Sequence, residues 1–380
     1  MNLPRTLALA GAVTVFCLKA AAAEPVIVTI ARADDKHVRN SEGTAVGLKD
    51  GRLLLAWIEF TKGEGDSDFF PARIVAKTSR DGGKTWDGYR VLAKPESGEI
   101  SAFSPNLLRL KDGRLLFVYM RYLNFAKAQN KYPPATTVAM ISADDGKTFS
   151  RLATVLEEQP ITVCSHSLKQ LASGRIVLPL NRDLSRKGQP DHWEAGSAYS
   201  DDGGTTWKQS DNWADAPRRG AMEPHVEEVK DNHLLMVMRT QMGAVYRSDS
   251  RDGGRTWSKA SSLGVEAPES CPELCKVPGT GDLLLIWNGA KYDPKWASHF
   301  GKRTPLSSAI SKDGGKTWSK PRHIETDAGW AFSNPGAYFT SKGTLFLNYW
   351  ACKYTDKGYM SNYPIDLKAA FVETKWLYGE

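Results

Sequence analysis

The sequence predicts an all-β chain folded as a six-bladed β-propeller, on three observations. An eight-residue turn pattern recurs five times, and a second turn leading into an apolar strand recurs six times. No long segment carries the 3.6-residue periodicity of an amphipathic helix, while short β-rich runs and turn signals are frequent.

The first pattern is Ser-x-Asp-x-Gly-x-Thr-Trp, as in Ser79-Arg-Asp81-Gly-Gly83-Lys-Thr85-Trp86. It returns at Ser200 to Trp207, Ser250 to Trp257 and Ser311 to Trp318, and at Ser142 to Phe149 with Phe as the aromatic. The aromatics stand 63, 58, 50 and 61 residues apart. This is hairpin chemistry: the Asp accepts bonds from turn amides, the glycine tolerates positive φ, and the aromatic tucks beneath. Asp81, Asp144, Asp202, Asp252 and Asp313 are therefore expected to hold structure rather than perform catalysis.

The second element is a turn followed by an apolar strand. It occurs at Lys49-Asp-Gly51-Arg-Leu-Leu-Leu, Lys111-Asp-Gly113-Arg-Leu-Leu-Phe and Ser173-Gly174-Arg-Ile-Val-Leu. It recurs at Asp231-Asn232-His-Leu-Leu-Met, Thr280-Gly281-Asp-Leu-Leu-Leu and Lys342-Gly343-Thr-Leu-Phe-Leu. Six units of about 60 residues each suit a four-stranded sheet with loops, in one domain over residues 24–380.

Composition agrees. The 380 residues hold 50 Lys+Arg against 43 Asp+Glu, with 41% apolar, too hydrophobic for disorder. Basic residues are scattered over turns rather than grouped with stacking aromatics, which argues against nucleic-acid binding. No run of 18 apolar residues exists, so no membrane-spanning helix is expected. Nothing signals the number of subunits.

Residues 1–23 read as a secretory signal peptide, with Arg5, an apolar stretch from Leu7 to Leu18, and Ala21-Ala22-Ala23 before Glu24. The expected location is secreted or periplasmic. Losing that segment removes Arg5 and Lys19 and lowers the net charge from +7 to +5. Cys17 would leave with it, and Val-Phe-Cys-Leu lacks the small residues that precede a lipidated cysteine. Cys164, Cys271, Cys275 and Cys352 remain as buried or paired structural thiols, and four cysteines allow three full pairings. Cys271 and Cys275 alone make no zinc site, because no second ligand pair is close in sequence. No metal or other cofactor is expected.

In a propeller the innermost strands converge on a central channel. Counting nine residues back from each turn glycine (or Asn232) gives Glu42, Ser104, Ser165, Glu223, Pro272 and Asn334. The far ends of the following strands, seven or eight residues after the turn, give Glu59, Arg121, Arg182, Arg239, Asn288 and Ala351. In that register three arginines and two or three carboxylates ring one mouth. Arginines so grouped call for an anionic partner, and a carboxylate fits their planar fork. The alternative is that each Arg pairs with a neighbouring Glu at its blade edge. His166, beside Ser165, is the histidine expected at the pocket, as a substrate contact, an acid/base group or a hydrogen-bonded structural residue.

Five such Asp boxes on six blades resemble the sialidase superfamily, over essentially the whole mature chain. Two local matches add to the resemblance: Glu223 stands 16 positions before Arg239, and Arg303 stands 15 before Trp318, just ahead of an Asp box. The resemblance implies an exo-acting glycosidase for an acidic sugar. Arg239, Arg303 and a third arginine would clamp the sugar carboxylate, and Glu223 would be the base. Asp68, in Asp66-Ser-Asp68-Phe-Phe-Pro-Ala-Arg, would be the acid, with Asp66 as runner-up. Two departures stand out. The first blade reads Arg39-Asn-Ser-Glu42 where the family has Arg-Ile-Pro, so Arg39 swings in or Arg121 or Arg182 substitutes. The last blade reads Trp330-Ala-Phe332-Ser333-Asn334-Pro, with no tyrosine in the family's nucleophile position; Tyr338, Tyr349 and Tyr354 lie nearby. Attack by water, a different acidic sugar such as a uronide, and a binding propeller without turnover are the readings these departures leave open.

Overall fold

The computed structural model describes residues 22–64, 67–128, 131–293, 295, 302–358, 360–361 and 363–380. Nearly all of residues 1–23 and the runner-up Asp66 lie outside these. Twenty-five strands and a single short α-helix, Thr374–Tyr378, are present among the described residues.

The strands form six blades. The first runs through His37–Gly47, Leu53–Thr61, Ala72–Ser79 and Asp87–Ala93, and the second through Glu99–Arg109, Leu115–Leu123, Ala135–Ser142 and Ser150–Gln159. One parallel bridge, Ala72 to Ser101, joins these two blades into a continuous hydrogen-bonded sheet. The third blade has a broken inner strand, Ile161–Val163 and Lys169–Gln170, followed by Ile176–Asp183, Trp193–Ser200 and Lys208–Gln209. The fourth is Met222–Lys230, His233–Arg239, Ala244–Ser250 and Ser261–Glu266. The fifth is Glu273–Lys276, Leu283–Asn288, Leu306–Ser311 and Arg322–Glu325. The sixth takes Trp330–Phe339, Thr344–Lys353 and Asp366–Glu373 from the end of the chain, and its outer strand, Val26–Ala31, from the beginning. That antiparallel pairing, Val26 against Phe371, closes the ring.

The second strand of each blade is sandwiched between neighbouring sheets on both faces, so it is apolar without alternation. Leu53 to Ile58 are all at most 4% exposed. Six main apolar clusters result, one for each pair of adjacent blades. The cluster joining the first and second blades, for example, packs Leu54, Ala56 and Ile74 against Leu107, Leu115 and Phe117.

The Asp boxes fasten these interfaces. In the first, the Ser79 hydroxyl accepts from Gly83 N at 2.7 Å and donates to Asp81 Oδ1 at 2.8 Å. Asp81 also accepts from Thr85 N at 2.9 Å and Thr85 Oγ1 at 2.7 Å. The other four boxes repeat this set at Asp144, Asp202, Asp252 and Asp313. The box glycine abuts the preceding blade: a Cβ on Gly315 (φ +82°) would overlap Leu235, and one on Gly83 (φ +104°) would press on Phe346. Glycine is required there for both φ and space.

Candidate active site

The innermost strands share one local device. Glu42, Ser104, His166, Glu223 and Asn334 all adopt left-handed φ of 47–58°, uncommon outside glycine. In four blades this residue sits inside a register shift of the inner-strand ladder. The extra residue turns the side chain off the sheet toward the channel mouth. Pro272, at the corresponding place in the fifth blade, is locked at negative φ and breaks the series. Glu42, Ser104, Glu223 and Asn334 line a single cavity of about 230 Å³.

Arg39, Arg239, Arg303 and Asp68 line that same cavity. Arg39 is buried on the inner strand of the first blade and swings inward. Its Nη1 donates to Asp68 Oδ1 at 2.5 Å, its Nη2 to Glu42 Oε1 at 2.9 Å and its Nε to Ser41 Oγ at 2.9 Å. The guanidinium lies 4.6 Å over the Phe60 ring. Burial opposes its charge, but Glu42 and Asp68 more than offset that and hold it ionised.

Asp68 sits on a 3-10 turn, Ser67–Phe69. Phe69 anchors the turn, stacking on Tyr132 at 5.8 Å and meeting Tyr122 edge-on at 5.4 Å. Phe103, Tyr122, Tyr132, Trp193 and Trp350 extend this aromatic wall around the cavity.

Arg239 Nη1 donates to Glu223 Oε2 at 3.0 Å, and Nη2 to Glu269 Oε1 at 3.2 Å. Glu269 is 1% exposed and also receives Arg219. Arg303 is different. It is 3% exposed, donates from Nη1 to Ser333 Oγ at 2.9 Å, and faces the Trp350 ring at 5.5 Å. Among the described residues no carboxylate stands within ion-pair distance of it. Burial, and then the neighbouring charge of Arg239, push its pKa below the ordinary arginine value.

Burial also raises two cavity carboxyls. Glu42 is pushed above its usual range against the pull of Arg39, and Asp183 is raised despite its bonds from Ser185. Four arginines and four acids line the cavity, counting Arg219 and Asp183.

Three candidate substrate contacts do not join the cavity, and neither do four other positions expected at the mouth: Glu59, which pairs with Arg73 at 2.7 Å, Pro272, Asn288 and Ala351. Arg121 pairs with Glu96 at 3.0 Å and Glu99 at 3.1 Å; Arg182 pairs with Glu194 and covers Trp213 at 4.7 Å. The reason is parity. Both stand eight residues after their turn, whereas Asn181, Arg239 and Trp350 stand seven after theirs and line the cavity. Successive strand side chains point to opposite faces, so one residue of offset sends a side chain to the far side. His166 is the third. Ser165 faces the cavity in its place, while His166 turns into the channel, with Nδ1 3.1 Å from Thr44 Oγ1 and Nε2 2.5 Å from Ala337 O. It ties the first, third and sixth blades together, and burial lowers its pKa.

The tyrosines near the last blade are also engaged elsewhere. Tyr349 donates to Glu325 Oε1 at 2.8 Å, Tyr354 accepts from Arg303 N at 2.7 Å, and Tyr338 lies against Gly47. The tyrosines that line the cavity among the described residues are Tyr122 and Tyr132, and Tyr132 donates to Asp191 Oδ2 at 2.8 Å. Asp183, Arg219, Glu269 and the aromatic wall were not singled out from the sequence. An offset of seven residues picks out Asn181 and Trp350 along with Ile58, Met120 and Asn288, which do not line the cavity. Phe103 stands directly before the repeat position Ser104, whereas Asp183, Arg219 and Glu269 sit in loops or at a strand end with no repeat signal.

Comparison with known proteins follows this geometry. Residues 51–347 match the model of the BNR repeat-like domain family. A sialidase from Bacteroides fragilis (strain YCH46) is 28% identical over 287 residues, covering 67% of this chain and 50% of that protein. The chain thus spans about half the length of that curated relative. Among solved structures, a protein of unknown function from Dyadobacter fermentans superposes with a TM-score of 0.70 at 19% identity, covering 91% of this chain and 97% of that one. The NanB sialidase of Streptococcus pneumoniae gives 0.69 at 16%, covering 92% and 70%. The leech intramolecular trans-sialidase gives 0.69 at 17%, covering 93% and 71%. With a family match across most of its length and the propeller those structures share, the chain belongs to the BNR repeat-like domain family and has the fold of the sialidases.

Proposed function

We propose that this protein is an exo-acting glycoside hydrolase of the sialidase type, releasing terminal sialic acid or a closely related acidic sugar. The observation that carries the proposal is Arg303: a buried guanidinium without a carboxylate partner among the described residues, beside Arg239 and open to the cavity. A buried charge is costly unless paired. A substrate carboxylate supplies the missing partner and forms the bidentate bonds that Arg favours.

Asp68 is the proton donor to the leaving glycosidic oxygen, freed from Arg39 when the substrate carboxylate engages that arginine. Glu223 takes the proton of the attacking hydroxyl and offsets developing oxocarbenium charge. We assign the attack to water, because the sixth inner strand carries Phe332 and Asn334, not tyrosine, and Asn334 is held by Trp350 Nε1 at 2.8 Å. The glycosidic bond to the anomeric carbon breaks, the water oxygen bonds to that carbon from the opposite face, and the configuration inverts. Residues 1–23 support an extracytoplasmic location for this activity.

The test is hydrolysis of a fluorogenic sialoside by the wild-type protein and by the Glu223→Gln and Arg303→Met variants. Turnover lost in both supports the reading. Turnover unchanged in Arg303→Met, or cleavage confined to uronides, overturns it.

A further inference from the structure

Beneath the cavity lies a second cluster that the glycosidase reading does not use. Cys164 sits in the break of the third blade's inner strand, directly after Ile161–Val163, His225 is on the inner strand of the fourth, and Cys271 leads into the inner strand of the fifth. Their ligand atoms, two sulfurs and one imidazole nitrogen, all lie within 4.8 Å of one another. Cys271 Sγ is 3.8 Å from His225 Nε2. The residues are 8%, 1% and 2% exposed, and both cysteines are free thiols.

The histidine is oriented from behind. Its Nδ1 stands 2.7 Å from Glu273 Oε2, and Glu273 is fully buried. This ion-pair contact is on the opposite side of the ring from Nε2, which faces the Cys271 sulfur. A carboxylate on the far nitrogen is the arrangement that sets tautomer and direction in histidine ligands. A buried carboxylate, a histidine and two thiols are an expensive set to bury for packing alone.

We propose that Cys164, Cys271 and His225 form a binding site for a thiophilic divalent transition-metal ion of the zinc class, with Glu273 as the outer partner of the histidine. A tetrahedral ion with sulfur at about 2.3 Å and nitrogen at about 2.0 Å wants donors about 3.5–3.8 Å apart. The cluster meets this with a contraction of about 1 Å at its widest, within reach of side-chain rotation. Binding releases the two thiol protons and any proton on His225 Nε2, and Nδ1–H stays with Glu273. The two thiolates cancel the charge of the ion, and the half-buried Lys169 is close enough to Glu273 to interact with it electrostatically. Cys164 lines the active-site cavity, so the fourth coordination position is reached by solvent from there. The ion joins three consecutive blades immediately under Glu223.

A disulfide between Cys164 and Cys271 would use the same sulfurs but leaves the His225–Glu273 pair without a purpose, which is why metal binding is preferred. The experiment separates the two and does not depend on sugar hydrolysis. The full chain, reduced and stripped with a chelator, is titrated with Co²⁺ and then Zn²⁺, following thiolate-to-cobalt charge transfer and tetrahedral ligand-field bands. One equivalent should bind, displaced by Zn²⁺, and the unfolding temperature should rise. Cys164→Ser and Cys271→Ser should each weaken binding at least 100-fold, and Glu273→Gln by about 10–100-fold. Cys275→Ser and Cys352→Ser, also buried thiols but outside the cluster, should bind as wild type and thereby control for folding. No thiolate band in the reduced protein, or binding unaffected by Cys271→Ser, overturns the proposal. So does a Cys164–Cys271 disulfide found by mass spectrometry in protein whose reduced form takes up no metal.

Discussion

Arg239 is bound by Glu223 at 3.0 Å and by the buried Glu269 at 3.2 Å, while the Arg303 guanidinium, equally buried in the same cavity wall, donates to the Ser333 hydroxyl at 2.9 Å and has no carboxylate within ion-pair distance among the described residues. One guanidinium is ion-paired, and the other feels Glu223 and Glu269 only at longer range. Replacing each by methionine should therefore have opposite effects on stability. Arg239→Met strands two carboxylates and should cost about 3–5 kcal/mol in urea unfolding. Arg303→Met removes a buried charge with no ion pair among the described residues and should leave stability unchanged or raised. Both should weaken binding of an anionic sugar, read as a rise in KM or the loss of calorimetric binding. Loss of stability in Arg303→Met comparable to that in Arg239→Met would show that Arg303 is already paired in the free protein.

The Arg39–Asp68 contact at 2.5 Å sets a second expectation. If Asp68 is the proton donor, Asp68→Asn should lower kcat by about 10²–10⁴-fold on a sugar with a poor leaving group. The loss should shrink on an activated aryl leaving group, which needs no protonation. NMR of the first-formed product should show the inverted anomer, because water is the assigned nucleophile. A retained anomer would transfer that role to a tyrosine hydroxyl.

Much of this was legible in the sequence because it rests on local chemistry. The boxes around Asp81, Asp144, Asp202, Asp252 and Asp313 are closed by bonds within eight residues, so their spacing reported five blades, and the turns at Gly51, Gly113, Gly174, Asn232, Gly281 and Gly343 extended the count to six. Glu223 and Arg239 were placed by counting from the Asn232 turn, Asp68 and Arg303 by their positions ahead of an Asp box, and their roles came from the family resemblance. Arg121 and Arg182 failed because strand register must be known to a single residue before the facing side is known. Cys164, His225 and Cys271 were invisible for another reason: they are 61 and 46 residues apart, and only closure of the ring brings three blade cores together.

Glu42 and Asp183 determine how the cavity should respond to pH. Burial raises both carboxyls, so each keeps its proton above the ordinary carboxylate range and adds negative charge to the cavity only as pH climbs through its raised value. KM for an acidic sugar should therefore rise with pH across that window, while KM for a neutral analogue stays flat. The same sign governs stability: a raised carboxyl stabilises the fold fully below its unfolded pKa and loses that contribution as pH rises. The double variant Glu42→Gln, Asp183→Asn should flatten the KM profile. A profile in that variant that overlays the wild type would remove these groups from the explanation.

The boxes make the opposite demand. Asp81, Asp144 and Asp313 are held well below the ordinary carboxylate range, first by the threonine hydroxyls and then by the threonine amides, and Asp202 is lowered to about 2 for the same reasons. A depressed carboxyl contributes stability above its unfolded pKa of 3.8 and loses it as pH falls toward the folded value. Unfolding should accordingly steepen below about pH 4, and Asp202→Asn, which takes up no proton there, should blunt that slope. The serine at the base of each box provides the check on mechanism. Ser250 is fully buried, accepts from Gly254 N at 2.8 Å and donates to Asp252 Oδ1 at 2.8 Å. Ser250→Ala leaves the buried Gly254 amide without its acceptor and should cost about 1–3 kcal/mol in urea unfolding, with sugar hydrolysis by the folded fraction unchanged. An activity loss larger than the unfolded fraction accounts for would mean that the boxes shape the cavity as well as fasten the blades.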